Sequence, residues 1–459
     1  MESLSLGDIA RITTGTVRQQ HQAIEVSGLC IDSRDVQPGD LFVCLPGSRC
    51  HGNDYAAEAL SAGARAVLTC EQGDDEPRIV VADAAVALWS LGVDFRSRLS
   101  KNAHVIAITG SNGKTSTKDL TAAALGSTFD VVSSKRSFNN TLGVPLTLAE
   151  TTGGTNCVVA ELGSNGTGEI AHLAKLVHPH VGVITNVQQA HLEGLSSLQG
   201  VREEKGSLLT LLKGKKISIL NRDDPSFDQL SAMAAGKVLS FGLSEAADVR
   251  GVNLHCELGQ TSFCLAREGL EVTTQHTGQH GVLNALAALA VAQSVGVDLP
   301  CAIEALAAVP PPPGRLESHR FNGLTVIDDS YNANPGSVRA ASEALAEITL
   351  DGRLLVVVGE MLELGDAGET LHREMGESLA KCGASRLLAV GQYGAALQEG
   401  AIQGGMARAA TTVCSSLEEA KDVLLSEIQD GDTVYLKGSR AVGMENLLPA
   451  LKGLQVTAA

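Results

Sequence analysis

The sequence predicts an α/β protein of three domains. These are a small N-terminal α/β domain (1–101), a central P-loop-type, doubly wound, mostly parallel sheet (102–315) and a C-terminal Rossmann-like α/β domain (316–459). Three observations carry this prediction. A chain of 459 residues makes about three domains at ~150 residues each. Along it, short β-branched apolar runs alternate with longer helix-favouring runs, the pattern of parallel sheets covered by helices. One stretch, Ala107 to Thr117, reads Ala-Ile-Thr-Gly-Ser-Asn-Gly-Lys-Thr-Ser-Thr. It sits between an apolar run at 104–108 and a helix-favouring run at 118–125, as a glycine turn between strand and helix does.

Up to residue 101, strand-like runs at 29–31, 40–45, 66–69 and 79–82 alternate with helix-like runs at 55–62 and 84–99. Asp32-Ser33-Arg34 falls at a strand-to-loop transition. Ser33 and Arg34 offer a hydroxyl and a planar cation suited to a diphosphate or a uracil edge, and the same residues also make an ordinary polar turn.

The glycine turn that follows is built for phosphate. Gly110 and Gly113 let backbone N–H groups point inward across Ser111 and Asn112, while the helix start at Lys114, Thr115 and Ser116 adds partial positive charge. Lys114 adds a full charge, and the Thr115 hydroxyl can ligate Mg²⁺. The expected ligand is a nucleoside triphosphate. The usual first glycine of such loops is replaced by Ile108, so the signal lies in Gly-Lys-Thr and its context. Strands at 157–162, 181–187 and 217–220 continue the sheet. Glu161 closes the first of them, at a carboxyl end facing the ligand crevice, where a hard oxygen donor for Mg²⁺ is wanted; it could also cap the next helix. His191 follows the second strand, and Lys205 lies in the helical run 198–212 within Arg-Glu-Glu-Lys, where a solvated helix face is the ordinary expectation. Residues 248–277 read as an antiparallel excursion. An Ala/Leu-rich helix at 282–295 carries Asn284, and the proline run 310–313 ends the domain before Gly314.

The last domain alternates strands at 324–327, 354–358, 387–390 and 433–436 with helices at 337–347, 369–381, 417–427 and 442–451. Its 324–327 strand runs into Asp328-Asp329-Ser330-Tyr331-Asn332-Ala333-Asn334-Pro335, a dense polar cluster where ligands bind such sheets.

A formal net charge of -17 argues against a broad nucleic-acid face, which needs clustered Lys and Arg. Ten cysteines are scattered without metal or redox spacing and are expected to be mostly small buried hydrophobes. No uninterrupted apolar stretch approaches the ~18 residues of a membrane span, and the N-terminal residues lack a basic-then-apolar segment. A reduced, cytoplasmic protein is expected.

Several ordered motifs resemble the Mur ligases, ATP-dependent amide-forming enzymes of peptidoglycan synthesis. They are Thr109-Gly110-Ser111-Asn112-Gly113-Lys114-Thr115, Asn139-Asn140-Thr141 before Gly143-Val144-Pro145, Glu161-Leu162-Gly163, Thr185-Asn186 leading to Ala190-His191-Leu192-Glu193, Lys205-Gly206, Asn284-Ala285, Gly314-Arg315 and the Asp329 cluster. Within the family, the 328–335 cluster, 359–365 and 437–440 look like the members that add D-alanyl-D-alanine to UDP-N-acetylmuramoyl-tripeptide. The Asp-Asn-Pro-Arg motif of the diaminopimelate-adding members is missing from the sequence. The chain departs from the family pattern at Gly281, Gly166 and Cys50-His51-Gly52.

The resemblance implies that Lys114 and its loop, with Asn284, Arg315 and Asp329, hold ATP. It implies that Thr115 and Glu161 ligate one Mg²⁺, and that His191, Glu161 and a carbamylated Lys205 organise a second. Ser33, Arg34, Asn139, Asn140, Thr141, Asn332 and Asn334 would contact the nucleotide-linked peptide and the incoming dipeptide. It further implies an acyl-phosphate mechanism in a cytoplasmic monomer, with no nucleic-acid partner and no membrane span.

Overall fold

The computed structural model describes residues 1–47, 50–73, 76–350 and 352–454; the last five residues of the expected C-terminal domain lie outside them. Three main sheets follow one another along the chain. The first has five strands in the order Thr16–Val17, Arg78–Val80, Ala66–Thr69, Asp40–Val43, Gly28–Cys30, parallel except for the first pair. The helix Leu6–Thr13, capped by Ser5 accepting from Asp8 N, precedes it.

The central sheet has nine strands. Val131–Ser133, Cys157–Glu161, His104–Thr109, Val181–Ile184, Ile217–Asn221, Lys237–Gly242 and Val249–Glu257 run parallel, and Gln260–Leu265 and Glu271–Thr274 complete it antiparallel. The 248–277 excursion is thus part of the same sheet. His104–Thr109 lies in its interior, buried from Val105 onward, and its carboxyl end opens into the glycine turn. One face packs with the N-terminal domain in a single hydrophobic core that joins Leu91 and Phe95 to Val144 and Leu148. The other is covered by the Ala/Leu-rich helix Gly278–Val295.

The third sheet runs Glu317–Phe321, Leu324–Asp329, Thr433–Lys437, Leu354–Val358, Arg386–Val390, Thr411–Cys414, parallel after the first, antiparallel pair.

The structure adds strands beyond those that the sequence predicts. Val131–Ser133 is too short to show a period, and Glu317–Phe321 is an edge strand with exposed positions at Ser318 and Arg320. The phosphate-loop helix starts at Lys114 rather than 118, directly after Gly113 at φ 78°. The helix expected over 442–451 splits instead into a turn at Met444–Leu447 and the helix Leu448–Gly453. Gly443 at φ 71° and Pro449 near the helix start explain the break. Of the ten cysteines, five are buried and three exposed, all as free thiols; the expectation of mostly buried thiols holds for only half of them.

Candidate active site

The glycine turn is fixed from below by the segment after Val181–Ile184. Thr185 Oγ1 donates to Asn112 O at 2.6 Å, Asn112 N donates to Asn186 Oδ1 at 2.9 Å, and Ser111 N donates to Asn186 O at 3.0 Å. Both glycines are required by their surroundings. A Cβ on Gly110, at φ 151°, would lie 1.8 Å from Thr185 Oγ1, and one on Gly113 would lie 2.4 Å from Asn284 Oδ1. Lys114 turns back onto the loop, its Nζ donating to Gly110 O at 2.8 Å and Ser111 O at 3.2 Å. Burial pushes its ammonium below the usual lysine range; Glu161 opposes this and Arg315 adds to it.

Glu161, 1% exposed, accepts from Thr115 Oγ1 at 2.8 Å through one oxygen and from Asn139 Nδ2 at 2.8 Å through the other. It caps no helix. Lys205 is equally buried, so the solvated-face expectation for it fails. Its helix, Leu198–Thr210, turns this residue inward beside Val201, Leu208 and Leu209. With no hydrogen bond or ion pair among the described residues, the ammonium is pushed from 10.5 to about 7, by burial first and then by Lys114, against Glu204. Glu204 itself is spent on Gly168 N and Ile170 N, at 2.6 and 2.7 Å. His191, at φ 53°, pairs through Nδ1 with Glu363 Oε2 at 2.6 Å; burial lowers its pKa, with Glu363 opposing and Lys114 and Lys205 assisting.

From the C-terminal side, the Arg315 guanidinium stacks over Tyr331 at 4.2 Å and donates to Ser137 Oγ at 3.4 Å, while its buried Nη1 has no partner. Asp329 is held by Lys437 Nζ at 2.5 Å and Tyr435 Oη at 2.9 Å. Asn334 caps the helix Pro335–Glu347 and forms a reciprocal amide pair with Asn112, at 2.7 and 3.1 Å. The glycine turn and the C-terminal domain are therefore in direct contact.

These groups surround one cavity of about 370 Å³, within the size range of small-molecule sites. Lining it are Ser111, Asn112, Gly113, Lys114, Thr115, Ser116, Asn139, Asn140, Glu161, His191, Asn284, Arg315, Asp329, Asn332 and Asn334. A second cavity, of about 190 Å³, lies between His191, Asn332, Asn334, Glu363, Ser439 and Arg440.

Family models match successive segments of the chain: the Mur ligase family catalytic domain at 25–90, the Mur ligase middle domain at 108–292 and the Mur ligase glutamate ligase domain at 314–440. UDP-N-acetylmuramoyl-tripeptide--D-alanyl-D-alanine ligase of Escherichia coli (strain K12) is 35% identical over 458 residues, covering 98% of this chain and 99% of that protein. The chain belongs to the Mur ligase family. The ligase of the same name from Bacillus subtilis (strain 168) is 31% identical, with 97% of each chain covered. A crystal structure of MurF from Acinetobacter baumannii superposes with a TM-score of 0.86 at 29% identity, covering 99% of this chain and 100% of that one. The MurF ligase of Thermotoga maritima, solved in complex with ADP, gives 0.78 at 27% identity, covering 93% of this chain and 97% of that one.

Against this Mur ligase frame, some expected site residues stand apart from the cavity. Ser33 and Arg34 form the turn Ser33–Asp35, in which Asp32 holds the exposed Arg34 side chain at 2.8 and 2.5 Å. Thr141 is exposed outside it. Asn140 does reach the cavity, but its Oδ1 also accepts from Leu142 N and Gly143 N at the start of Gly143–Ala149. Gly110 shapes the loop without lining the cavity, and the buried Lys205 is not among the lining residues. Ser137, Tyr331, Lys437 and Glu363 join the site in addition to the residues that the sequence pattern singles out individually. Lys437 had a legible signal, ending a strand at the sheet's carboxyl edge, whereas Ser137 and Glu363 acquire partners only through folding. Among the described residues no helix is long and apolar enough to cross a membrane.

Proposed function

We propose that the protein is an ATP-dependent ligase joining D-alanyl-D-alanine to UDP-N-acetylmuramoyl-tripeptide, with UDP-N-acetylmuramoyl-pentapeptide, ADP and phosphate as products. The observation that carries this is the pair of adjoining cavities. The larger is walled by the glycine turn, Lys114, Arg315 and Glu161, and the smaller is lined by Glu363, which pairs with His191, by Arg440, which pairs with Glu445, and by Asn332 and Asn334. A dipeptide zwitterion needs an anion for its ammonium, a cation for its carboxylate and neutral amides for its peptide bond. By the same reading, residues 1–101 carry the UDP end of the substrate, 102–315 the ATP and 316–459 the amine.

In the reaction, the tripeptide carboxylate oxygen attacks the γ-phosphorus, the bond to the β-phosphate oxygen breaks, and ADP leaves. The dipeptide amine, having lost a proton, adds to the acyl carbon, and the tetrahedral adduct collapses to the amide with loss of phosphate. Lys114 and the free Nη1 of Arg315 spread the anionic charge that builds up when a carboxylate meets a triphosphate. Tyr331 and Ser137 orient that guanidinium.

The donor set suits Mg²⁺: the Thr115 hydroxyl and Glu161 carboxylate are hard oxygens 2.8 Å apart, and His191 stands nearby. Bound there, Mg²⁺ would neutralise phosphate charge. Lys205, as a carbamate, would add a further oxygen donor. Its lowered pKa supports that modification by raising the neutral fraction of the amine, because nitrogen must carry a lone pair to bond CO₂, after which a proton leaves.

The test offers ATP and UDP-N-acetylmuramoyl-tripeptide with D-alanyl-D-alanine, L-lysine, meso-diaminopimelate or D-glutamate, following phosphate release. The dipeptide is expected to support the fastest amide formation. Faster turnover with a single amino acid defeats the dipeptide assignment and leaves the ligase class standing.

A further inference from the structure

The edge strand of the C-terminal sheet, Glu317–Phe321, carries a further cluster of donor side chains. Antiparallel pairing sets Glu317 directly opposite Asp328, so both carboxylates stand on one face of the sheet, and His319, two residues along, shares that face. Successive strand residues point to opposite faces, so Asp328 turns away from Asp329, which joins Tyr435 and Lys437. None of Glu317, His319 and Asp328 lines either cavity. One donor atom from each of the three lies within 4.8 Å of those of the other two.

Facing like charges on paired strands repel, and a buried carboxylate needs a cation or a full set of hydrogen-bond donors. Asp328 is only 4% exposed, and it accepts from Ser330 N at 3.0 Å; Glu317 accepts from Gly314 N at 3.2 Å. Among the described residues neither carboxylate is paired with a lysine or an arginine. His319 Nε2 stands 3.7 Å from Glu317 Oε2, too far for a hydrogen bond, and has no other partner. That separation suits a metal ion. Two donors 3.7 Å apart, each about 2.1 Å from one ion, subtend about 120° at it, between the tetrahedral and trigonal values. The ion sits between donors already in place and needs no cavity. It can arrive from solvent along His319 and Glu317, whose side chains are 27% and 31% exposed. Stacking on Phe321, at 5.5 Å, holds the plane of the imidazole.

We propose that Glu317, His319 and Asp328 bind a divalent transition-metal ion of the zinc class, with water filling the remaining position. One imidazole and two carboxylates suit Zn²⁺ better than Mg²⁺, which prefers oxygen ligands alone in an octahedron. The ion ties Glu317–Phe321 to Leu324–Asp329 and, through the bond from Gly314 N to Glu317, secures the turn that precedes Arg315. This site stands independently of the ligase reading above.

The test titrates metal-stripped, full-length protein with ZnCl₂ by calorimetry, with excess Mg²⁺ present to cover oxygen-only sites, for wild type, His319→Ala and Asp328→Asn. The wild type is expected to bind zinc, and each variant to bind it at least about a hundredfold more weakly, since even the outer partners of metal ligands are worth about ten- to hundredfold. Asp328→Asn keeps the oxygen that accepts from Ser330 N and removes one of the facing charges. In EDTA it should therefore unfold at the wild-type temperature or above, whereas zinc should raise the unfolding temperature of the wild type alone. Anomalous X-ray scattering at the zinc edge should place the ion between the three side chains of the wild type, a readout independent of how the variants fold. A wild type that binds no zinc, unchanged affinity in both variants, or an anomalous peak only elsewhere, such as at His191 and Glu363, overturns the site and leaves the proposed function untouched.

Discussion

Replacing Lys205 with methionine should make the ligand-free protein more stable while destroying its activity. In the folded chain the ammonium titrates at about 7, against 10.5 when unburied. Because the folded pKa is depressed, the unfolded state binds more protons than the folded one between these values, so wild-type stability rises with pH across that window. Above about pH 10.5 both states are neutral and no penalty remains; below about pH 7 the penalty is fully present. Integrating the proton linkage gives a cost of about 4 kcal/mol near pH 7.5 and about 2 kcal/mol near pH 9. Methionine fills similar space without a charge, so Lys205→Met should gain roughly those amounts over wild type at the two pH values. Urea unfolding in CO₂-stripped buffer, read by circular dichroism, measures both differences. Bicarbonate should then stabilise the wild type and leave Lys205→Met unmoved, since only an amine can be carbamylated. A gain that is absent, or equal at both pH values, would refute the buried-lysine argument, and a wild type indifferent to bicarbonate would refute carbamylation.

Lys114→Ala should lower phosphate release by at least about a thousandfold with circular dichroism unchanged, because Thr185 and Asn186 still hold the loop when the lysine's bonds to Gly110 O and Ser111 O are lost; near-normal turnover would mean the phosphate-loop assignment is wrong. Lys437→Met strands the Asp329 carboxylate in the interior and should cost about 3–5 kcal/mol in urea unfolding, most of it recovered in the Asp329→Asn/Lys437→Met double variant. Without such recovery, the pair is not the source of the loss. Asn334→Ala removes both a helix cap and the amide pair with Asn112, an expected loss of about 1–2 kcal/mol, together with a raised KM for the dipeptide. An unchanged KM would detach this contact from amine binding.

The sequence by itself determined the layered α/β class, the glycine turn and the carboxyl-end position of Glu161. Each of these depends on local spacing: β-branched runs before helix formers, glycines where positive φ or close approach is needed, and an acid at a strand's end. His191 and Lys205 were visible only by resemblance, because their local surroundings read as an ordinary loop and a wet helix face. Tertiary structure decided their character. The same Arg-Glu-Glu-Lys segment, packed against the central sheet, buries Lys205 and turns Glu204 toward the backbone at Gly168 and Ile170. It also decided that Arg315 stacks on Tyr331 and that Asn334 meets Asn112 across 222 positions of chain. Burial, pKa and hydrogen-bond completion depend on which distant side chains arrive at a point in space, and one-dimensional spacing carries no record of that arrival.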